Sequence, residues 1–347
     1  MYIKRILVVI ALLGIIVAAY FAHYVYNTML VDNTAFEDNE VYIYIPTNSS
    51  YQDVREIVFP YIKDMDAFDA LANRKQYVSN IKAGRYIIKK GMNNNDIINS
   101  IRSNNIPIKL SFNYQETLQD LAGRIANQIE ADSIAILTSM LDSTFLENND
   151  FNKRTALGMY IPNSYEFFWN TTADKFRDRM LSEYHKFWND SRIEKAKNIN
   201  LTPNEAITLA SIVQKETAKI DERPRVAGVY VNRLKRGIPL QADPTVIYAI
   251  KDKSGDFDQT IKRVLYKDLE LDSPYNTYKY AGLPPGLITM PDISSIEAVL
   301  NYEKHSYYYF VVDVNRFGYH KFAKTLSQHN RNRQEYVNWI NRQGIRR

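Results

Sequence analysis

An uncharged run from Ile6 to Tyr26, ILVVIALLGIIVAAYFAHYVY, follows Lys4 and Arg5 at the start of the chain. Its length matches the roughly 20 residues that cross a bilayer core. Basic residues on the short leading side keep that end in the cytoplasm. The pattern therefore predicts a 1–5 cytoplasmic tail and a 6–26 transmembrane helix, with the remaining chain outside the cytoplasmic membrane. A cleaved signal peptide has a shorter apolar core followed by a small-x-small site; Ala22 would need a small residue at position 20, where Tyr20 stands. Residues 27–39 are polar and aperiodic and read as a tether. VYIYI over 41–45 alternates and reads as a strand. From Ser50 a helical spacing carries Val54, Ile57 and Val58, and Pro60 stops it. A second such unit is a strand over 84–88, a turn at Gly91 and a helix over 95–101. A third is a strand over 108–112 followed by a helix over 118–129.

Past a helical or mixed stretch at 130–150, the segment Gly158–Tyr165 breaks the periodicity. Phe176, Met180, Leu181, Tyr184 and Trp188 then fall at helical spacing and predict a core-facing helix over 173–188. Thr202, Pro203 and Glu205 form a helix start: Thr202 caps, Pro203 suits the first turn and Glu205 completes a capping box. The helix runs to Glu216. A further helical pattern covers 222–234 and ends at Gly237. After it, Leu240–Tyr248 reads as a proline turn, and 273–278 and 282–286 as turn-rich loops.

Composition adds little to the fold and something to the partners. The chain has 347 residues, 45% apolar and 24% charged, which fits a folded protein of two or three units. The charge of +5 permits contact with anionic lipid or an acidic polymer and does not call for nucleic acid. There is no Cys, which excludes disulfides, thiol catalysis and Cys-based metal sites. Five His without an H-E-x-x-H pairing argue against a metalloenzyme, and no metal or cofactor is called for; His320 and His329 read first as surface or core residues and second as residues facing a cleft. Ser79 and Lys82 match S-x-x-K, but the companion serine-enzyme motifs are absent.

The candidate chemistry lies on the helix that begins at Thr202. Leu209, Ile212, Val213 and Glu216 share one face, so Glu216 extends an apolar stripe. Burial disfavours a charged carboxylate and raises its pKa. A carboxyl kept protonated near neutral pH can donate to the leaving oxygen of a glycoside. The alternative is an ordinary ion pair with Arg223, Arg225 or Arg233. Downstream, Gln241, Asp243 and Thr245 stand around the proline turn, and Tyr275 and Asn276 lie in the loop at 273–278. Together they read as the lining of a polar cleft.

Five segments carry a family resemblance: ASIVQKET (210–217), RPRVAGVYVNRL (223–234), LQADPTVIY (240–248), SPYNTYKYAGLPPGLI (273–288) and FAKTLSQHN (322–330). In this order they resemble the endolytic murein transglycosylases of the MltG type, the YceG-like family. The resemblance covers roughly 155–330 and extends more weakly to the apolar run. It departs from the family pattern at Gln214, often Glu; at Ala242, often Ser or Thr; and at Asn163, where an Asp is usual.

The resemblance implies an α+β protein with an N-terminal transmembrane helix, a LysM-like subdomain over 40–104, a connecting α+β region over 105–154 and a mixed α/β catalytic domain over 155–347. It implies that Glu216 is the catalytic residue. The bond cut would be the β-1,4 link between N-acetylmuramic acid and N-acetylglucosamine. The muramoyl C6 hydroxyl would attack, leaving a 1,6-anhydro end. Gln241, Asp243, Thr245, Tyr275 and Asn276 would position the sugars. The partners implied are peptidoglycan glycan strands and a membrane-bound glycan polymerase whose nascent strands are released. The rival readings are a hydrolytic muramidase, with Asp243 as a second carboxylate, and a non-catalytic wall-binding scaffold.

Overall fold

The computed structural model describes residues 2–342. The chain divides into two compact units. One comprises Met1–Leu110, Gln128–Ala131 and Tyr165–Thr172; the other comprises Ser111–Asn127, Asp132–Ser164 and Ala173–Arg347.

The first unit begins with α1 (Tyr2–Met29), a helix long and apolar enough to cross a membrane. Then come β1 (Glu40–Ile45), α2 (Tyr51–Val58), α3 (Met65–Arg74), β2 (Gly84–Lys89) and α4 (Asn94–Ser103). β1 and β2 form an antiparallel ribbon in which Glu40 faces Lys89 and Ile45 faces Gly84. Its inward side chains, Ile43, Ile45, Tyr86 and Ile88, pack with Val54, Phe68, Leu71, Ile97 and Ile101 into one core. Ser50 caps α2 in a reciprocal capping box with Asp53, as its position before the apolar stripe predicts.

The segment expected to be a free tether is instead bonded into this unit. α1 continues through Met29, and Asn33 and Thr34 are buried. The Asn33 side-chain amide donates to the Asp64 carbonyl at 2.8 Å and to Oδ1 of Asn94 at 2.6 Å, and its backbone N–H reaches the Met92 carbonyl at 3.0 Å. Asn94 in turn donates to the Thr28 carbonyl at the end of α1. Polar composition suggests a tether, whereas these side chains satisfy buried backbone groups.

The second unit is mostly helical. β3 (Ile108–Phe112) pairs with β4 (Asn163–Phe167), and the division between the units falls inside each of these two strands. α5 (Leu118–Ala126), α6 (Ser133–Met140), α7 (Ser143–Asn148), α8 (Ala173–Phe187) and α9 (Asp190–Lys197) lead to α10 (Pro203–Glu216). α10 is buried all round from Ala206 to Val213 and is flanked by α11 (Arg223–Lys235), α12 (Asp243–Ser254) and α13 (Ile293–Leu300). β5 (Tyr309–Val312) and β6 (His320–Ala323) form an antiparallel hairpin, and α14 (Leu326–Arg342) packs on it. From Asp243 onward the expected proline turn is instead the start of α12, because Pro244 takes the first turn, where no N–H is needed.

Candidate active site

α10 ends at the site. Thr202 and Glu205 close the expected capping box at its start, and its last residue, Glu216, emerges half-buried at the edge of a cleft of about 590 Å³. The two residues before it do not line the cleft. Gln214, where the family often has Glu, accepts from the Asp292 N–H at 2.6 Å and donates to the Met290 carbonyl, tying α10 to the start of α13. Lys215 pairs with Glu116 at 2.7 Å.

The turn from α10 to α11 is held by a buried carboxylate. Oε2 of Glu222 accepts from the Thr217 hydroxyl at 3.0 Å and lies 2.8 Å from Nδ1 of His320; Oε1 accepts from the His320 N–H at 2.8 Å. α11 then places Tyr230 and Arg233, one turn apart, on the wall of the cleft. The Tyr230 hydroxyl donates to Oε1 of Glu216 at 2.7 Å. Arg233 donates to the carbonyls of Tyr308, Pro239 and Leu240 and to Oε1 of Gln241, so it fastens α11 to two segments around the cleft.

None of the three arginines weighed as ion-pair partners is spent on Glu216. Arg223 pairs with Asp292 at 2.8 Å and Arg225 with Glu303 at 2.9 Å, while Arg233 is committed to carbonyls. Burial therefore dominates, and it raises the Glu216 pKa to about 7. The Tyr230 bond opposes this by stabilising the anion, the charge of Asp243 adds to it, and His320 and Arg233 pull the other way. Burial and the adjacent Glu216 push the Tyr230 hydroxyl well above its usual range, so it stays a donor.

The sequence-selected residues separate into two groups. Gln241 and Asp243 line the cleft with Glu216. Gln241 holds φ 50°, a left-handed conformation that costs a non-glycine residue about 1 kcal/mol or more. It is kept there by its N–H to the Thr277 carbonyl and by the Arg233 bond. Asp243 opens α12 and accepts from the Tyr278 hydroxyl at 2.5 Å. Thr245, Tyr275 and Asn276 do not line the cleft. The Thr245 hydroxyl is used on the Ala242 carbonyl and Thr277, and Tyr275 packs on Tyr248 at 4.5 Å between ring centres. Asn276 is fully buried and donates to the carbonyls of Leu269 and Leu271. These three shape the loops behind the wall, because their polar groups already have internal partners.

The sequence reading missed several lining residues. Tyr278 sits two positions beyond Asn276, and Tyr309 and Phe310 come from β5. Asn330 and Arg333 come from α14 beside His329, one of the two His weighed for a cleft, and their helical spacing in QHNRNR is the available signal. His329 stacks on Tyr309, and burial lowers its pKa, assisted by Arg233 and Arg333. His320 turns to Glu222 instead. The loop residues Arg263 and Leu265, and Tyr266 at the start of a short 3-10 helix, also line the cleft. Among the described residues, no group of three His, Asp or Glu side chains is placed to hold a metal ion.

The profile of the YceG-like family matches residues 43–335. A Bacillus subtilis (strain 168) protein named endolytic murein transglycosylase is 33% identical over 316 residues, 86% of this chain and 85% of the relative. A protein of the same name from Streptococcus pneumoniae serotype 2 (strain D39 / NCTC 7466) is 30% identical across 96% of this chain, which spans 64% of that relative's length. A crystal structure of a yceG-like protein from Listeria monocytogenes superposes with a TM-score of 0.56 at 30% identity, covering 85% of this chain and 99% of the other. The chain belongs to the YceG-like family.

Proposed function

We propose that this protein is a membrane-anchored endolytic murein transglycosylase with Glu216 as its single acid and base. One observation carries the reading: a carboxyl on the wall of a cleft, with a pKa raised to about 7 by burial and bonded to a tyrosine hydroxyl rather than an arginine. The relatives named endolytic murein transglycosylase support the same substrate class, peptidoglycan glycan strands.

At neutral pH such a group is poised between its two forms, which suits a step that first gives and then takes a proton. Protonated Glu216 donates to the oxygen leaving C1 of N-acetylmuramic acid as its β-1,4 bond to N-acetylglucosamine breaks. The carboxylate then accepts the proton of the muramoyl C6 hydroxyl, whose oxygen bonds to C1 and closes a 1,6-anhydro ring. The nucleophile belongs to the substrate, so proximity supplies much of the rate and no second carboxylate is needed. Gln241, Asp243 and Tyr278 hold the sugars, and Tyr309 and Phe310 line the same cleft. α1 serves as an uncleaved anchor with both units on the outer face of the cytoplasmic membrane. There the enzyme meets nascent strands from a membrane-bound glycan polymerase. The LysM-like reading of residues 40–104 makes the first unit a second glycan contact.

Hydrolysis is the second reading, favoured by one observation: Asp243 lines the same cleft and its charge is felt by Glu216. A paired carboxylate activating water would leave reducing ends instead. The test of the enzymatic reading is the digestion of purified glycan by the full-length protein and by Glu216→Gln. The variant is expected to lose at least about 100-fold in rate, the usual scale of acid–base catalysis. Cutting at the wild-type rate would leave a wall-binding scaffold as the better account.

A further inference from the structure

The lining of the cleft carries positive charge that the glycosidic chemistry does not use. Arg263 projects from the irregular segment between α12 and residue 266, and Arg333 from α14; both line the cleft and both are exposed. Five other arginines of the second unit pair with acids: Arg177 with Asp178, Arg179 with Glu183, Arg192 with Glu297, and Arg223 and Arg225 as described. Among the described residues, Arg263 and Arg333 form no ion pair. The Arg333 guanidinium instead donates to the Tyr266 hydroxyl at 3.2 Å, which links α14 to the segment carrying Arg263. The acids lining the cleft are Glu216 and Asp243, and Asp243 already accepts from Tyr278. Sugar hydroxyls and acetamido groups are neutral and do not call for two guanidinium groups. A carboxylate does, because the planar fork of Arg matches it with two charge-assisted bonds.

We propose that Arg263 and Arg333 form a carboxylate-binding subsite for the peptide stems of the glycan strand, so that stem-bearing strands are preferred to stripped ones. This rests on the transglycosylase reading. In a stem-bearing strand the lactyl group is an amide, and the free carboxylates belong to the peptides.

The full-length protein in detergent is given three soluble substrates of equal glycan length. One carries intact stems. One carries the same stems with their carboxylates turned into neutral amides by carbodiimide coupling to methylamine. The third is stripped by an amidase, which leaves lactyl carboxylates. Wild type is expected to cut the first about three- to tenfold more efficiently in kcat/KM than the other two, mostly through KM, the scale of exposed charge-assisted contacts. Added salt shrinks that advantage. The Arg263→Gln, Arg333→Gln double variant is expected to cut all three alike. Equal cutting of intact and amidated strands by wild type overturns the proposal, as does a preference that survives the double substitution. Stripped strands cut as well as intact ones also overturn it, by moving the recognised charge to the lactyl oxygen. Failure of wild type to cut any of the three is a separate result: it sinks the transglycosylase reading and takes this inference with it.

Discussion

The hydroxyl of Tyr230 lies 2.7 Å from Oε1 of Glu216, and it donates to that oxygen. The bond has two effects. It fixes which carboxyl oxygen is engaged by the protein, leaving Oε2 to carry the mobile proton. It also stabilises the anion against the burial that would otherwise raise the pKa further.

Tyr230→Phe removes that stabilisation and nothing else of similar size. A hydrogen bond to a charged group contributes about 1.5–3 kcal/mol, which is roughly one to two pKa units. A general acid must be protonated, so its pKa sets the alkaline limb of kcat/KM. The variant's alkaline limb is expected to move to higher pH, with a lower kcat at the optimum because the carboxyl is less well held. A pH–rate profile of the two proteins checks this; an unmoved limb would mean the bond does not reach the chemistry.

Asp243→Asn shifts the same limb the other way. The negative charge of Asp243 helps to raise the Glu216 pKa, so a neutral amide lowers it. The acid then loses its proton earlier as pH rises, and activity above neutrality falls. The products of this variant are expected to keep the same chemical ends as those of wild type, at a reduced rate. A variant that switches its product ends would assign Asp243 the water-activating role.

Glu216 also links catalysis to stability. Its folded pKa of about 7 lies above the ordinary 4.5, so the folded state holds this proton more tightly. The stability from this group is fully present below about pH 4.5 and is lost as pH rises through about 7, with a ceiling of about 3 kcal/mol. Glu216→Gln has no such loss. It is expected to melt at a higher temperature than wild type at pH 8, with the gap closing towards pH 5. Melting curves across that range provide the check, and a gap that grows on acidification would contradict the assigned shift.

Gly228 keeps α11, and with it Tyr230 and Arg233, close to the 303–305 segment. A Cβ there would overlap the Glu303 carbonyl oxygen and sit 2.6 Å from Nε2 of His305. Alanine is the better helix former by about 1 kcal/mol, but forcing a methyl against backbone costs about 1–3 kcal/mol. Gly228→Ala is expected to lower the melting temperature and to reduce kcat through displacement of Tyr230. A stabilised variant with full activity would show that α11 can shift freely.

Much of this was legible in the sequence for local reasons. Thr202, Pro203 and Glu205 define a helix start by side-chain chemistry alone, and the stripe from Leu209 to Glu216 follows from helical spacing. The motif order then pointed to the family. What was not legible depends on distant partners. Asn276 and Thr245 look like cleft residues until their polar groups are seen spent on Leu269, Leu271 and Thr277. Tyr230 looks like core until its hydroxyl is seen to meet a carboxyl fourteen residues earlier. Asn33 reads as a tether residue because nothing local announces Asp64 and Asn94. Arg263 and Arg333 share a cleft through tertiary packing alone.

The most direct test is the mass of the ends left when the full-length protein cuts purified glycan strands, compared with the Glu216→Gln variant. The account predicts fragments ending in 1,6-anhydro-N-acetylmuramic acid, lighter by one water than hydrolysis products, and essentially no fragments from the variant. Reducing ends throughout, or anhydro ends still formed without Glu216, would contradict it.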